Sequence, residues 1–183
     1  IFSKVDFELK KTDTSESRVL VVKVQETDSK ELFFEPGWGS YEKLRLRVGF
    51  EEKNLFRTGR IFGIQATGSL KAQSLVCNLT DPFFLNTDIR AGLNAFYNRR
   101  EEPSFTRRDV GTSVSMSKNI TENLLSTGTY MIRNTDISDV DETEEKSSEN
   151  YDFASIKLQA THDTRNDIFF PTSGQRIFAS AEQ

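Results

Sequence analysis

The densest chemistry in the chain lies at residues 163–174, Asp-Thr-Arg-Asn-Asp-Ile-Phe-Phe-Pro-Thr-Ser-Gly, directly after His162. Asp163 and Arg165 are a carboxylate and a guanidinium spaced to tie a turn together. His162 beside Asp163 offers a second ion pair. It is the only histidine, so a Ser-His-Asp triad or a Cys-His pair has no other to draw on. Pro171 fixes one backbone angle, and Gly174 accepts conformations that other residues resist. With Phe169 and Phe170 ahead of them, the segment reads as a rigid turn with an aromatic anchor. A strand reversal at a membrane surface needs such a turn.

A second cluster, Asp136, Asp139, Asp141, Glu142, Glu144 and Glu145, has the charge of a calcium loop. It lacks the glycine and alternating ligands of an EF-hand and reads as a solvated acidic loop. The lone Cys77 excludes an intrachain disulfide and a cysteine metal cage. Asn78-Leu79-Thr80 and Asn119-Ile120-Thr121 match the glycosylation sequon and read as chance matches. No catalytic residue, cofactor site or metal site emerges, and the expectation is a protein that is not an enzyme. Acids outnumber bases, 28 to 24, without a basic stripe, so nucleic acid is not an expected partner.

The elements that must carry these residues alternate with period two, and helical periodicity is scarcely seen. Val5, Phe7 and Leu9 lie on a first strand and Val19 to Val24 on a second, with small polar residues 12–17 between and a polar linker at 26–30. From residue 31 the character changes. Glu31 to Pro36, with Phe33 and Glu35, is a short aromatic strand broken by Pro36-Gly37-Trp38-Gly39. Alternating runs follow around 44–50, 61–67, 74–79, 88–97, 110–117, 123–134, 153–160 and 176–181, the run at 123–134 weakest and open to slipped register. One face is apolar; the other carries Ser, Gly, Asn, Arg and Gln, which suit a wet lumen.

These runs of about 7–11 residues approach the 9–11 that cross a bilayer at a tilt. No apolar run nears the roughly 18 residues of a transmembrane helix. The mean hydropathy of −0.54 does not decide the matter, because barrel strands alternate. The 15 phenylalanines point to aromatic girdles. A Phe-rich soluble β-sandwich, acting as a binding or adhesion module, is the alternative of another class.

The connections alternate in kind. Those at 54–59, 81–86, 118–123 and 163–174 are compact and mostly aromatic. Those at 68–71, 98–106 and 136–150 are variable and charged. A hairpin meander puts the two kinds at opposite ends, as periplasmic turns and extracellular loops are in transmembrane barrels.

Three of these turns resemble, in order, those of the bacterial surface antigen family, the POTRA-bearing outer-membrane barrels of the BamA and TamA type. Asp163, Arg165, Phe170, Pro171 and Gly174 resemble its signature turn. Asn54-Leu55-Phe56 with Thr58-Gly59 resembles its first periplasmic turn, and Asp81-Pro82-Phe83-Phe84 its second. Arg57 departs from the family's usual glycine and would be strained if the turn needs a positive φ. The chain opens at Ile1 and ends inside an alternating run, so it reads as a fragment.

The resemblance implies an all-β antiparallel up-and-down meander forming a partial transmembrane β-barrel of about nine strands. Residues 1–29 would end a POTRA-like domain in the periplasm, and residues 30–183 would be the N-terminal half of a barrel in a Gram-negative-type outer membrane. It implies a factor that folds and inserts β-barrel proteins, or else a TamA-like or two-partner-secretion polypeptide transporter. Implied partners are unfolded outer-membrane proteins, accessory lipoproteins, membrane lipid and lipopolysaccharide, whose phosphates would share divalent ions with the acidic loop. The first barrel strand, Glu31, Phe33, Glu35, Pro36 and Gly37, would be the lateral edge; an Arg-Gly-Phe loop and the closing strand would lie beyond Gln183. Open edges would make the isolated fragment self-associate.

Overall fold

The computed structural model describes residues 2–11, 18–138 and 149–183. Its strands are β1 (Phe2–Lys11), β2 (Arg18–Glu26), β3 (Lys30–Gly39), β4 (Lys43–Leu55), β5 (Arg60–Ser69), β6 (Ala72–Asp81), β7 (Ile89–Glu101), β8 (Thr106–Thr121), β9 (Leu124–Ser138), β10 (Glu149–Asp163) and β11 (Arg176–Glu182). β1 and β2 pair with each other in an antiparallel two-stranded sheet. β3 to β11 form one antiparallel sheet in strict chain order, a meander with β3 and β11 at its two edges. The expected nine-stranded meander is therefore present. The small polar turn at 12–17 and most of the acidic loop, 139–148, lie outside the described residues.

No apolar side chain is buried among the described residues, whereas Glu52, Thr106, Thr135 and Ser155 are. That inverts a soluble protein, whose strands hide one face against a second layer. The register shows where the apolar residues went. One row on one face runs Phe34, Val48, Ala66, Leu75, Tyr97, Val110; the next runs Leu32, Phe50, Ile64, Cys77, Ala95, Thr112, Ile132, Ala154. These residues stand side by side without a covering layer, Leu32 at 82% and Phe34 at 68% exposure, and Trp38 on the same face of β3 is 75% exposed. The soluble sandwich is overturned by this: among the described residues no second layer covers the nine-stranded sheet, and its apolar face is bare.

The opposite face is polar and internally bonded. Thr135 Oγ1 donates to Asp109 Oδ1 at 2.6 Å, Ser74 Oγ to Asn98 Oδ1 at 2.6 Å, and Arg133 lies 5.0 Å from the Phe153 ring centre. Glycines on this face make room for aromatic rings. A Cβ on Gly111 would stand 2.6 Å from Phe96, and one on Gly49 would overlap Phe33. Asn78, one of the two sequons, lies mid-strand on this face against Gly63, not in a turn.

The apolar band does not follow the hydrogen-bonded rows. The row that holds Phe34 on β3 ends on Asn134 and Asp152 on β9 and β10. The row that holds Ala179 on β11 passes through Ala160, Ser126 and Lys118 on its way back to Ile89. The band thus slides toward the opposite end of the strands as the sheet is crossed. A level apolar belt on tilted strands produces this offset, the shear that closing a sheet into a barrel requires.

Three expectations are corrected. The strands extend past the visible alternation, to 13–16 residues in β4, β7, β8, β9 and β10, because ladder pairing continues into charged rims. β9 holds continuous register with β10 and, apart from one bulge at Asn119/Thr121, with β8, so its weak alternation causes no slip. Connection length does not separate the two ends: residues 56–59, 82–88, 122–123 and 164–175 link strands at one, and 40–42, 70–71 and 102–105 at the other. Chemistry separates them only in part, since Tyr41 and Phe105 stand at the second end and Arg57, Arg165 and Asp167 at the first. Phe56, Phe83, Phe84, Phe169 and Phe170 share the first end, and Glu42, Lys71 and Glu102 stand at the second.

In the full-length protein embedded in a bilayer, brominated lipids are expected to quench Trp38 emission. Unquenched emission at every bromine depth would contradict a lipid-facing apolar band.

Candidate functional site: an open strand edge and its turns

β3 is the free edge on the N-terminal side of the large sheet. It is longer than the short, broken strand expected: ten residues, paired along its whole length from Lys30↔Glu52 to Gly39↔Lys43. Pro36 sits in this ladder opposite Leu46, and Gly37 opposite Arg45. A proline is tolerated there because an edge strand needs donors on one side only. The polar-face residues hold β3 to β4. Glu31 pairs with Lys53 Nζ at 3.1 Å, Glu35 with Arg47 Nη1 at 3.0 Å, and the Phe33 ring covers Gly49. Leu32, Phe34 and Trp38 project from the other face into open space. No described strand pairs with the outer edge of β3, which therefore presents a row of unsatisfied backbone groups.

The β4–β5 and β6–β7 turns are built alike. Thr58 N–H donates to Leu55 O at 3.1 Å, and Thr87 N–H to Phe84 O at 3.1 Å; each threonine hydroxyl donates to the same carbonyl, at 2.7 and 2.6 Å. Both central residues have positive φ, Phe56 and Arg57 at 53° and 61°, Leu85 and Asn86 at 54° and 58°. This is the mirror-image reversal that suits strand twist. The expected strain at Arg57 is real, since a left-handed residue with a side chain costs about 1–2 kcal/mol. Asn54 Oδ1 offsets part of it by accepting the Gly59 N–H at 2.8 Å. Arg60 Nε reaches Asp81 Oδ2 at 2.8 Å and ties the two turns together, while Asp81 Oδ1 accepts the Phe83 N–H at 3.0 Å, just past Pro82. Phe56 is 85% exposed and Phe84 half-buried.

The β10–β11 connection is more fully braced than its sequence suggested. Arg165 grips Asp163 with two guanidinium nitrogens, Nε at 2.9 Å and Nη2 at 2.7 Å, so the expected pair forms and His162 makes no ion pair among the described residues. Sequence reasoning passed over the residues that shape the rest. Asn166 Oδ1 accepts the Thr172 and Ser173 N–H groups at 3.0 Å each, and Asp167 Oδ1 accepts those of Phe169 and Phe170 at 2.7 Å. Asx residues two or three ahead of a turn are the signal that could have found them. The result holds Phe169, 84% exposed, and Phe170 outward, ahead of Pro171. Gly174 has φ 88°, and a Cβ there would strike the Thr164 carbonyl. At the opposite end Tyr41 Oη donates to Glu101 O at 2.8 Å and Lys71 pairs with the Glu101 carboxylate, joining three strand ends that no sequence pattern linked.

Two outcomes test this framework. Gly174→Ala is expected to destabilise the folded protein by about 1–3 kcal/mol, read as a lower urea midpoint; an unchanged midpoint would refute the close approach. Two backbone N–H groups hold the Asp167 carboxyl below the usual carboxylate range. A depressed folded value means stability that is complete above the ordinary Asp value of about 3.9 and lost as pH falls through the folded value. NMR titration of selectively labelled Asp167 is expected to give a midpoint below that value; one at or above it would refute the bonding.

Residues 54–183 match the model of the Omp85 superfamily domain. The outer membrane protein assembly factor BamA of Nitratidesulfovibrio vulgaris (strain Hildenborough) is 25% identical over 177 residues, 94% of this chain and 22% of that protein. The crystal structure of BamA from Haemophilus ducreyi lacking POTRA domains 1–3 superposes with a TM-score of 0.75 at 16% identity, covering 99% of this chain and 39% of that one. The chain thus spans about a fifth of the curated relative, and its open nine-stranded sheet has the fold of part of a BamA barrel. With that match over most of its length, the chain belongs to the Omp85 superfamily.

Proposed function

We propose that this chain is part of an outer-membrane factor that folds and inserts β-barrel proteins, and that β3 is the edge on which an incoming strand is templated. Residues 1–29 would be the end of a periplasmic POTRA module and residues 30–183 the N-terminal half of the barrel. The separation of β1–β2 from the large sheet supports that division. The outer membrane is the location its BamA relatives share.

The observation that carries the reading is the unpaired edge of β3 beside a bare apolar face. In hydrocarbon an unpaired N–H or C=O costs several kcal/mol, so edge and incoming strand both gain by pairing. Glu31, Phe33 and Glu35 brace β3 from the polar side while its outer edge stays free. Pro36 removes one donor, so an incoming strand binds less tightly there and releases more readily. Assembly of this kind requires no covalent chemistry and no cofactor. Unfolded outer-membrane proteins would be the substrates, and the Phe-bearing turns, including Asn54, Phe56, Gly59, Asp81, Pro82 and Phe84, would face accessory lipoproteins in the periplasm. The same edge, with β11 opposite, makes the isolated chain prone to edge-to-edge association.

Photo-crosslinking residues placed singly at Glu31, Phe33 and Glu35 of the full-length protein test this during assembly in proteoliposomes. Adducts with a nascent barrel protein are expected at β3 and not at Val76 or Asn78 on β6. Equal labelling at both, or none at β3, would refute an edge template. Delivery of substrate across the bilayer instead of into it would favour a polypeptide transporter.

A further inference from the structure

Three rungs of the nine-stranded sheet set like charges directly opposite one another, an arrangement that weakens a cross-strand pair. Two are neutralised within the chain. At Glu31↔Glu51, Lys53 Nζ stands 3.1 Å from one carboxylate and 3.8 Å from the other. At Arg100↔Arg107, each guanidinium has its own partner, Glu102 at 2.7 Å and Asp109 at 2.9 Å. The third rung, Arg99↔Arg108, is left short. Asp136 Oδ2 lies 3.5 Å from Arg108 Nη1, and among the described residues Arg99 has no carboxylate partner.

The location of that rung gives the deficit a meaning. Arg99 and Arg108 lie on the apolar side of the sheet, immediately beyond Tyr97 and Val110, the last residues of the band on β7 and β8. Gln73 on β6 is the other neighbour of Arg99 in the same row. Row by row the wall passes from aliphatic, through a tyrosine, to two opposed guanidiniums flanked by an amide. A bilayer changes in the same order, from hydrocarbon through the interface to headgroup phosphate. Two guanidinium forks about 5 Å apart at their Cβ atoms offer several N–H donors to one tetrahedral anion. A membrane-exposed wall also favours an anion that arrives with the lipid over a buffer ion held against water.

We propose that Arg99 and Arg108, with Gln73 at their side, bind a phosphate group of a lipid in the leaflet at the loop end of the barrel. The site rests on the reading of the apolar face as a lipid-facing wall with the Phe-bearing turns on the periplasmic side. That makes the leaflet the outer one and the ligand a phosphorylated glycolipid of the lipid A kind. The phosphate supplies the charge that the third rung lacks, as Lys53 does at the first.

Native mass spectrometry of the full-length protein tests this with three probes: diphosphorylated lipid A, the same lipid stripped of its phosphates, and inorganic phosphate. Wild type is expected to retain the phosphorylated lipid at least tenfold better than the stripped one, with inorganic phosphate a poor competitor. Arg99→Gln and Arg108→Gln are each expected to lower that retention several-fold, while Arg90→Gln, on the polar face, leaves it unchanged. Equal retention of the two lipids by wild type overturns the proposal without recourse to any variant. Displacement by inorganic phosphate at equal concentration overturns the lipid as source. Full retention by a double Arg99→Gln, Arg108→Gln variant that still shows the heat-modifiable gel shift of a folded barrel overturns the residues. Quenched Trp38 together with any of these outcomes removes this site alone; unquenched Trp38 removes the lipid-facing reading beneath it.

Discussion

Backbone hydrogen bonding in a medium without water governs how this chain is built. Among the described residues no apolar side chain is buried, so they have no hydrophobic core to organise them. Their order comes from ladders that satisfy almost every N–H and C=O internally, from β3 through to β11. In hydrocarbon that satisfaction is obligatory, and two features follow. Strands must be long and continuously paired, including through Pro36 and the bulges at Glu52/Leu55 and Asn119/Thr121. An edge left unpaired is reactive, since its free groups are costly until another strand takes them.

The same constraint explains the division of labour between the faces. Outward residues need only be apolar, so Leu, Phe, Val, Ile and Ala are used interchangeably along each row. The polar face supplies the specific contacts: Asp109 with Thr135, Arg133 over Phe153, Phe33 over Gly49. The diagonal slide of the apolar band couples the two. It records strand tilt in the sequence of each strand, so that neighbouring strands agree on where the membrane lies although their hydrogen-bonded rows do not.

Much of this was legible in the sequence because period-two alternation is a direct image of a two-sided sheet. The nine strands, their order and their polar and apolar faces follow from it. Strand ends were not legible. Pairing continues into rims where charged residues such as Arg107, Arg108 and Lys118 occupy both faces and alternation disappears. Pro36-Gly37 read as a break because proline and glycine disrupt central strands; on an edge strand the missing donor has nothing to disrupt. The turns were half legible. Asp163 with Arg165 was readable from type and spacing, and the positive φ at Arg57 only through the resemblance of its turn to one that usually holds glycine. The Asn166 and Asp167 bridges and the Arg60–Asp81 link depend on which side chains meet in three dimensions. The joint of Tyr41, Lys71 and Glu101 lies still further out of reach, because it brings together three strand ends from separate hairpins.

Templating of an incoming strand requires that β3 be a labile edge, held by β4 on one side only among the described residues. Hydrogen–deuterium exchange on the full-length protein in lipid nanodiscs tests it most directly. β3 amides, 30–39, are expected to exchange markedly faster than those of β5 to β9, with β4 intermediate. Protection of β3 equal to that of β6 and β7 would contradict it and would make the first strand one more wall of a closed barrel.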